Sequence, residues 1–277
     1  MSTLVTTPAR RVAPAAREVH GLSARGILAS EWTKFRSLRS SWITLAVALV
    51  LTIGIGALVS AVQANHYASS TPADKATFDA VVTPLNGIIL SQLAIGVLGV
   101  LVFSGEYSTG MIRATLTAVP RRLPVLWAKI AVFGAAVFVT SIVATFVSFF
   151  LGEYLLNRHG IGVGIGHADA LRSVIGGALY LVVVGFIGVA LGAALRNTAG
   201  GISAFVGLFF VLPPILFFLP ASWSNHISPY LPAGAGQALW SNPDPPSLSP
   251  WAGFGVLCLW AAGAIVIAAV GLRRRDA

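Results

Sequence analysis

Residues 85–122 read LNGIILSQLAIGVLGVLVFSGEYSTGMIRATLTAVPRR. From Leu85 to Ser104 the stretch is almost uninterruptedly apolar and carries no charge. A hydrocarbon core of about 30 Å takes roughly 20 helical residues to cross. In lipid every backbone polar group must be satisfied internally, so such a run reads as a helix. Charge then returns abruptly as Glu106, Arg113, Arg121 and Arg122, and a second apolar run follows. The quoted segment is therefore a helix leaving a membrane, a charged connector, and the start of a helix returning.

The rest of the chain repeats that pattern. With Leu85–Ser104, apolar runs at Trp42–Gln63, Ile130–Gly152, Ser173–Leu195, Ile202–Pro220 and Trp251–Leu272 make six candidate spans. Barrel strands would alternate apolar and polar residues, and these runs do not. Composition agrees. Apolar residues make up 56% of the 277 and charged residues only 10%, against about 25% charged in ordinary soluble chains. The expected fold is an all-α membrane protein with six transmembrane helices.

The net charge of +9 is placed by topology. Fifteen of the 18 basic residues lie before the first run, between runs two and three, between four and five, or after six. The alternate segments hold only Lys75, Arg158 and Arg172. By the positive-inside bias, both termini are cytoplasmic. Charge clustered between spans points to a membrane surface and away from nucleic acid. The single cysteine, Cys258, sits in an apolar run and gives no disulfide framework or Cys-based metal site. Residues 1–21, rich in Pro, Ala, Thr and Arg, lack the apolar core of a signal peptide and read as a disordered cytoplasmic tail. Residues 273–277 read as a basic cytoplasmic tail.

Two stretches are neither span nor simple loop. Residues 22–40, LSARGILASEWTKFRSLRS, place Leu28, Trp32, Phe35 and Leu38 along one helical side with Ile27 beside them, flanked by Arg25, Lys34 and Arg36. This is the pattern of an amphipathic helix lying on the membrane surface. Glu31 falls within the apolar stripe and needs a partner; Lys34 and another cytoplasmic element are the two options. Ala221–Ser249 holds no Lys or Arg and centres on SPYLPAGAGQALW. Pro229, Tyr230 and Pro232 suit a re-entrant outer hairpin before span six; a plain outer loop with aromatic anchors is the alternative. Within the spans, Gly188 and Gly192 form a GxxxG, read as contact inside the bundle. Pro213-Pro214 should kink span five. Ser91, Gln92, Thr140, Ser141, Thr145 and Ser148 either line a path for an amphipathic substrate or bond helices together.

Missing motifs narrow the function. No Lys follows a Gly, so there is no G-x-x-x-x-G-K-[ST] phosphate loop. The five histidines lie outside the six runs, and no His-Glu-x-x-His occurs, which disfavours an intramembrane zinc protease. No Asp, Glu, Lys or Arg lies within the six runs as bounded, and Glu106 at a boundary is weak support for an ion-driven antiporter. A transporter of this kind takes its energy from a separate ATPase, which needs a stiff charged handle. Residues 105–119 suit that role: Met111, Ile112 and Leu116 give a short helical stripe, Arg113 projects, Gly110 permits a bend, and Pro120 stops the helix. An ordinary positive-inside loop is the alternative.

GEYSTGMIRATLTAVPRR is similar to the stretch after the second helix of ABC-2 type transporter permeases. SEWTKFRSLRSSW, residues 30–42, resembles that family's opening helix, and the likeness in order and spacing covers roughly residues 22–272. The nearest subgroup looks like actinobacterial drug or antibiotic exporters. The resemblance implies an N-terminal interface helix with Glu31, Lys34 and Arg36, and a cytoplasmic coupling helix between spans two and three. Glu106, Tyr107, Gly110 and Arg113 belong to coupling by motif, with Arg121 and Arg122 anchoring the next span. It implies an exporter in the bacterial plasma membrane, moving a drug, antibiotic, lipid or peptide. Partners would be a cytoplasmic ABC ATPase and a second permease subunit, identical or not, in membrane lipid. The chain would hold no cofactor and do no catalysis; ATP and Mg would sit in the ATPase. A proton-coupled drug antiporter and a non-transporting scaffold or immunity protein are the rival functions.

Overall fold

The structure is a computed structural model and describes residues 23–112, 115, 122–242 and 247–274. Six helices of 18 to 35 residues are long and apolar enough to cross a membrane, and no strand occurs among the described residues. The tail expected at residues 1–21 lies outside them, as do residues 275–277.

Helix α1, Ala24–Ser37, starts where the Ser23 hydroxyl accepts the Gly26 N–H at 3.1 Å. Leu38 is extended, and α2, Arg39–His66, begins at once. The elbow is pinned by Trp42, whose indole donates to the Arg36 carbonyl at 3.1 Å and whose ring meets Phe35 edge-on. The buried stripe of α1 is Ile27, Glu31 and Phe35. Of the expected apolar side, Ile27 and Phe35 face the bundle, while Leu28, Trp32 and Leu38 are exposed apolar residues.

Helix α3, Ile88–Ser108, packs along α5, Ala170–Leu195, which is the central and most buried span. Their closeness depends on glycine. A Cβ at Gly188 would meet the Gly96 backbone, one at Gly192 the Val100 backbone, and one at Gly99 the Gly185 carbonyl. The GxxxG thus serves a contact within the bundle. Helix α4, Arg122–Asn157, packs on α2 and α5. It starts eight residues before the expected Ile130, because Pro124 is tolerated in a first turn.

The mild polar groups bond helices together. Thr52 and Ser91 lie 2.7 Å apart, and Ser91 donates to the Ala48 carbonyl at 2.8 Å. Ser148 lies 3.0 Å from the Thr52 carbonyl and 2.6 Å from that of Pro84, and the Tyr180 hydroxyl donates to Gln92. Thr140 and Thr145 return to carbonyls of their own helix. The exposed faces of α2 and of the last span are apolar instead, with Val50, Leu58, Leu259 and Ile267 pointing outward.

The fifth span begins as α6, Thr198–Val206, widens to a π turn at Gly207–Val211, and ends as Leu212–Ile215. Pro213 and Pro214 lack the N–H groups that would continue the ladder. Two short helices follow, α7 at Ala221–Ile227 and α8 at Pro232–Trp240, joined by a turn at Ser228–Tyr230. The last span is α9, Pro250–Arg274. Trp260 donates its indole N–H to the Tyr230 carbonyl at 2.9 Å. Trp260 stands about ten residues into α9, so the turn lies ~15 Å down the bundle from that end. From there α8 climbs back until the Leu239 carbonyl accepts from Arg172 at 2.6 Å. This placement of Pro229, Tyr230 and Pro232 favours a dipping hairpin over a plain loop.

Candidate functional site

One end of the bundle gathers α1, the C-terminal end of α3, the start of α4, and the C-terminal ends of α5 and α9. Four charges meet there. Glu31 projects from α1 into the bundle because it shares the buried stripe with Ile27 and Phe35. Lys34, one turn on, reaches back to it at 2.7 Å. Glu106 comes from the last turn of α3 and Lys129 from the second turn of α4.

Their geometry is a closed ring. Lys34 Nζ lies 2.7 Å from Glu31 Oε1 and 3.1 Å from Glu106 Oε1. Lys129 Nζ lies 2.8 Å from Glu31 Oε2 and 2.6 Å from Glu106 Oε1. Each lysine therefore bridges both carboxylates, and the set is electrically neutral. Three of the four residues are almost wholly buried, Glu31, Glu106 and Lys129 each at 4% exposure. Burying separate charges would be prohibitive, and pairing with good geometry is what allows it. The Lys129 ammonium also stands 5.8 Å from the centre of the Phe103 ring. Lys34, on the surface helix, is half-buried. Burial pulls its pKa down, but hydrogen bonding and charge from Glu31, then Glu106, outweigh that and hold it above the usual lysine value.

The connector joins the same ring. Helix α3 ends at Ser108, and Gly110 takes φ of 71°, a left-handed conformation that costs glycine little. The chain turns there, Ile112 is buried, and Thr115 comes back under α3. The Thr115 hydroxyl accepts from Lys34 at 3.1 Å and lies 3.3 Å from Glu106 Oε2. All three Lys34 donors are thus used.

Of the residues expected at this end, Glu31, Lys34 and Glu106 come together and Gly110 forms the turn. Tyr107 points elsewhere, beside Phe103 and beneath the Arg196 guanidinium, 5.3 Å from its ring centre. Arg196 in turn donates to the Gly271 carbonyl at 3.1 Å, tying the α5–α6 turn to α9. Arg36 is exposed and outside the ring. Arg113 and Arg121 lie outside the described residues, as does the side chain of Arg122. Lys129 and Thr115 were missed. Lys129 was counted as a loop charge because hydropathy dips there, although Pro124 could have signalled a helix already under way. The helices run past the apolar stretches as bounded from the sequence, so Lys129 and Glu106, which flank those stretches, both belong to membrane-spanning helices. Glu153 does too, since α4 runs on to Asn157.

The ring joins α1, α3, the connector and α4 at one point, and among the described residues no group of three His, Cys, Asp or Glu could hold a metal ion. A family model described as ABC-2 family transporter protein matches residues 27–168, just over half the chain and every member of the ring. No curated protein matches the sequence.

Proposed function

The chain belongs to the ABC-2 family of transporter proteins, and from that premise we propose that it is the membrane-embedded half of an ATP-driven exporter. It moves an amphipathic substrate outward, and a separate cytoplasmic ATPase supplies ATP, Mg and the force. Two permease subunits, identical or not, work as a pair in a bacterial plasma membrane. The charged end with the ring faces the cytoplasm, as the Lys and Arg bias supports.

The observation that carries the reading is the ring itself. A push on residues 109–121 reaches Thr115, and through Lys34, Glu31, Glu106 and Lys129 it reaches α1, α3 and α4 together. A loose loop would absorb that push. Moving a two-state equilibrium from 1:99 to 99:1 takes about 5.5 kcal/mol, so a compliant link would waste the ATPase stroke. Gly110 turns the connector, Arg113 belongs to the ATPase contact by its place in the motif, Glu106 anchors the connector from inside the ring, and the α7–α8 hairpin fits the outer gate. An antiporter would need an acid free to exchange an ion, whereas each ring carboxylate is held by two lysines.

Reconstitution with an ABC ATPase that co-purifies with the chain tests this. Transport should require ATP hydrolysis and survive collapse of the proton gradient. Transport by this chain alone, in vesicles without a nucleotide-hydrolysing partner, would overturn it.

A further inference from the structure

Helix α5 ends on Arg196, which takes φ of 54° and is, with Asp169, one of two described non-glycine residues in the left-handed region. Helices that end in this conformation mostly do so on glycine, sometimes on asparagine, which bear it at less cost. Strain of this kind persists only where the surroundings hold the residue in place. The side chain shows what holds it. The Arg196 guanidinium lies 5.3 Å from the centre of the Tyr107 ring and donates to the Gly271 carbonyl at 3.1 Å. Neither glycine nor asparagine could make both contacts. Tyr107 belongs to the last turn of α3, next to Glu106 of the charged ring. Its ring centre is 6.0 Å from that of Phe103, which in turn stands 5.8 Å from the Lys129 ammonium. Gly271 lies in the last turn of α9. Arg196 therefore ties the helix that carries Glu106 to the charged end of the last span.

Helix α9 is placed to pass on what it receives. Only 22% of its span is buried inside the bundle, against 72% of α5. About 16 Å along α9 from Gly271, Trp260 holds the Tyr230 carbonyl at 2.9 Å. Further along, Gly253 lies so close to α8 that a Cβ there would meet the Ala235 carbonyl. One helix thus carries the tether at one end and the α7–α8 hairpin on its other half. We propose that Arg196 is a positioning residue that ties α9 to α3, so that the state of the ring sets the position of the hairpin. A shift of the last turn of α3 moves the Tyr107 ring, the guanidinium follows it, and α9 is drawn along by Gly271. A span with little of its surface packed in the bundle yields to such a pull more readily than the central one. This role rests on the reading of the ring as the place where force enters; its test uses no ATPase, so the two readings fail separately.

The test reads amide hydrogen exchange of residues 228–240 in the full-length chain, held in phosphatidylcholine nanodiscs. Lys34→Gln, which opens the ring from the surface helix, should speed exchange there at least about fivefold, the low end of coupling between linked sites. In an Arg196→Gln background the same change should leave those rates where they were. Arg273→Gln removes an exposed charge from the same end of α9, and in that background the response to Lys34→Gln should persist. Residues 92–100, at the α3–α5 contact, should stay protected in every chain and so report that each is folded. If Arg196→Gln does not fold, Tyr107→Leu breaks the same tether from the α3 side and should abolish the response likewise. A residue that only stabilises would change the starting rates and leave the response to Lys34→Gln intact, because independent sites add. That intact response would overturn the proposal. So would a hairpin that ignores Lys34→Gln when Arg196 is unaltered.

Discussion

Lys129, in the second turn of the third span, donates to Glu31 at 2.8 Å across 98 positions of sequence. Glu31 sits on the helix before the first span, so this one bond fixes a surface element to the interior of the bundle. Because both groups are buried, removing Lys129 leaves two buried carboxylates sharing Lys34 alone, and the ring is no longer neutral. Breaking a buried pair in this way costs about 3–5 kcal/mol. Lys129→Met should therefore lower the thermal unfolding temperature of the purified protein sharply, while Arg36→Met, an exposed change on the helix that carries Glu31, should leave it nearly unchanged. Equal effects of the two would show that the ring contributes little.

Lys34 gives a pH prediction with a definite sign. Its pKa is raised in the folded protein. A raised lysine contributes stability in full below its unfolded-state value, about 10.4, and loses it as pH rises through the folded value. The difference in unfolding temperature between the unaltered chain and Lys34→Gln should hold steady from neutral pH to about 10. It should shrink only above that. A gap that closed between pH 7 and 9 would contradict the paired state of Lys34.

The six helices were legible because span length and apolarity are local properties, readable without knowing what packs on what. The GxxxG was legible for the same reason: Gly188 and Gly192 share one helix face whatever the partner. The ring was legible only in halves. Glu31 announced itself by interrupting an apolar stripe, and Lys34 lay one turn away. Lys129 did not, because a lone lysine near a hydropathy edge looks the same in a loop and in a helix. Which face of α4 turns toward α1 depends on how four helices pack, and no spacing within one segment encodes that. Which residues of the apolar side of α1 turn to the bundle was illegible for a related reason, since Leu28 and Trp32 are as apolar as Ile27 and Phe35.

The α3–α5 contact makes a prediction about volume. A methyl group at Gly188 would run into the Gly96 backbone, which cannot swing aside as a side chain can. Overpacking of this kind costs typically about 1–3 kcal/mol. Gly263→Ala supplies the control, because nothing lies within 4 Å of its built Cβ. Gly188→Ala should lower the unfolding temperature and Gly263→Ala should not.

At the opposite end, Arg172 holds the top of α8. Its guanidinium donates to the Leu239 carbonyl at 2.6 Å, to Asn242 Oδ1 at 2.7 Å and to Asp169 at 3.1 Å. Asn242 passes the link on to Asp79 at 3.1 Å. Hydrogen bonds to a charged group contribute about 1.5–3 kcal/mol. Arg172→Met should therefore speed amide hydrogen exchange across residues 232–242 while leaving α3 protected. Unchanged exchange in α8 would mean that packing on α5 and α9 is enough to hold it.

The ring also separates stability from force transmission. Lys129→Met alone leaves a buried carboxylate short of a partner. Glu31→Gln together with Lys129→Met removes one charge of each sign and keeps the Lys34–Glu106 pair, 3.1 Å apart. Residues that share one network are not additive, so the double variant should be more stable than the sum of the single losses, by about 0.5–3 kcal/mol. Yet it cuts the link from α1 to α4, whose contact through Glu31 and Lys129 is severed. If the ring carries force as proposed, the double variant should insert, fold and bind its ATPase, but ATPase stimulation in lipid and ATP-driven transport should both fall. Stimulation that recovered along with stability would reduce the ring to a structural rivet.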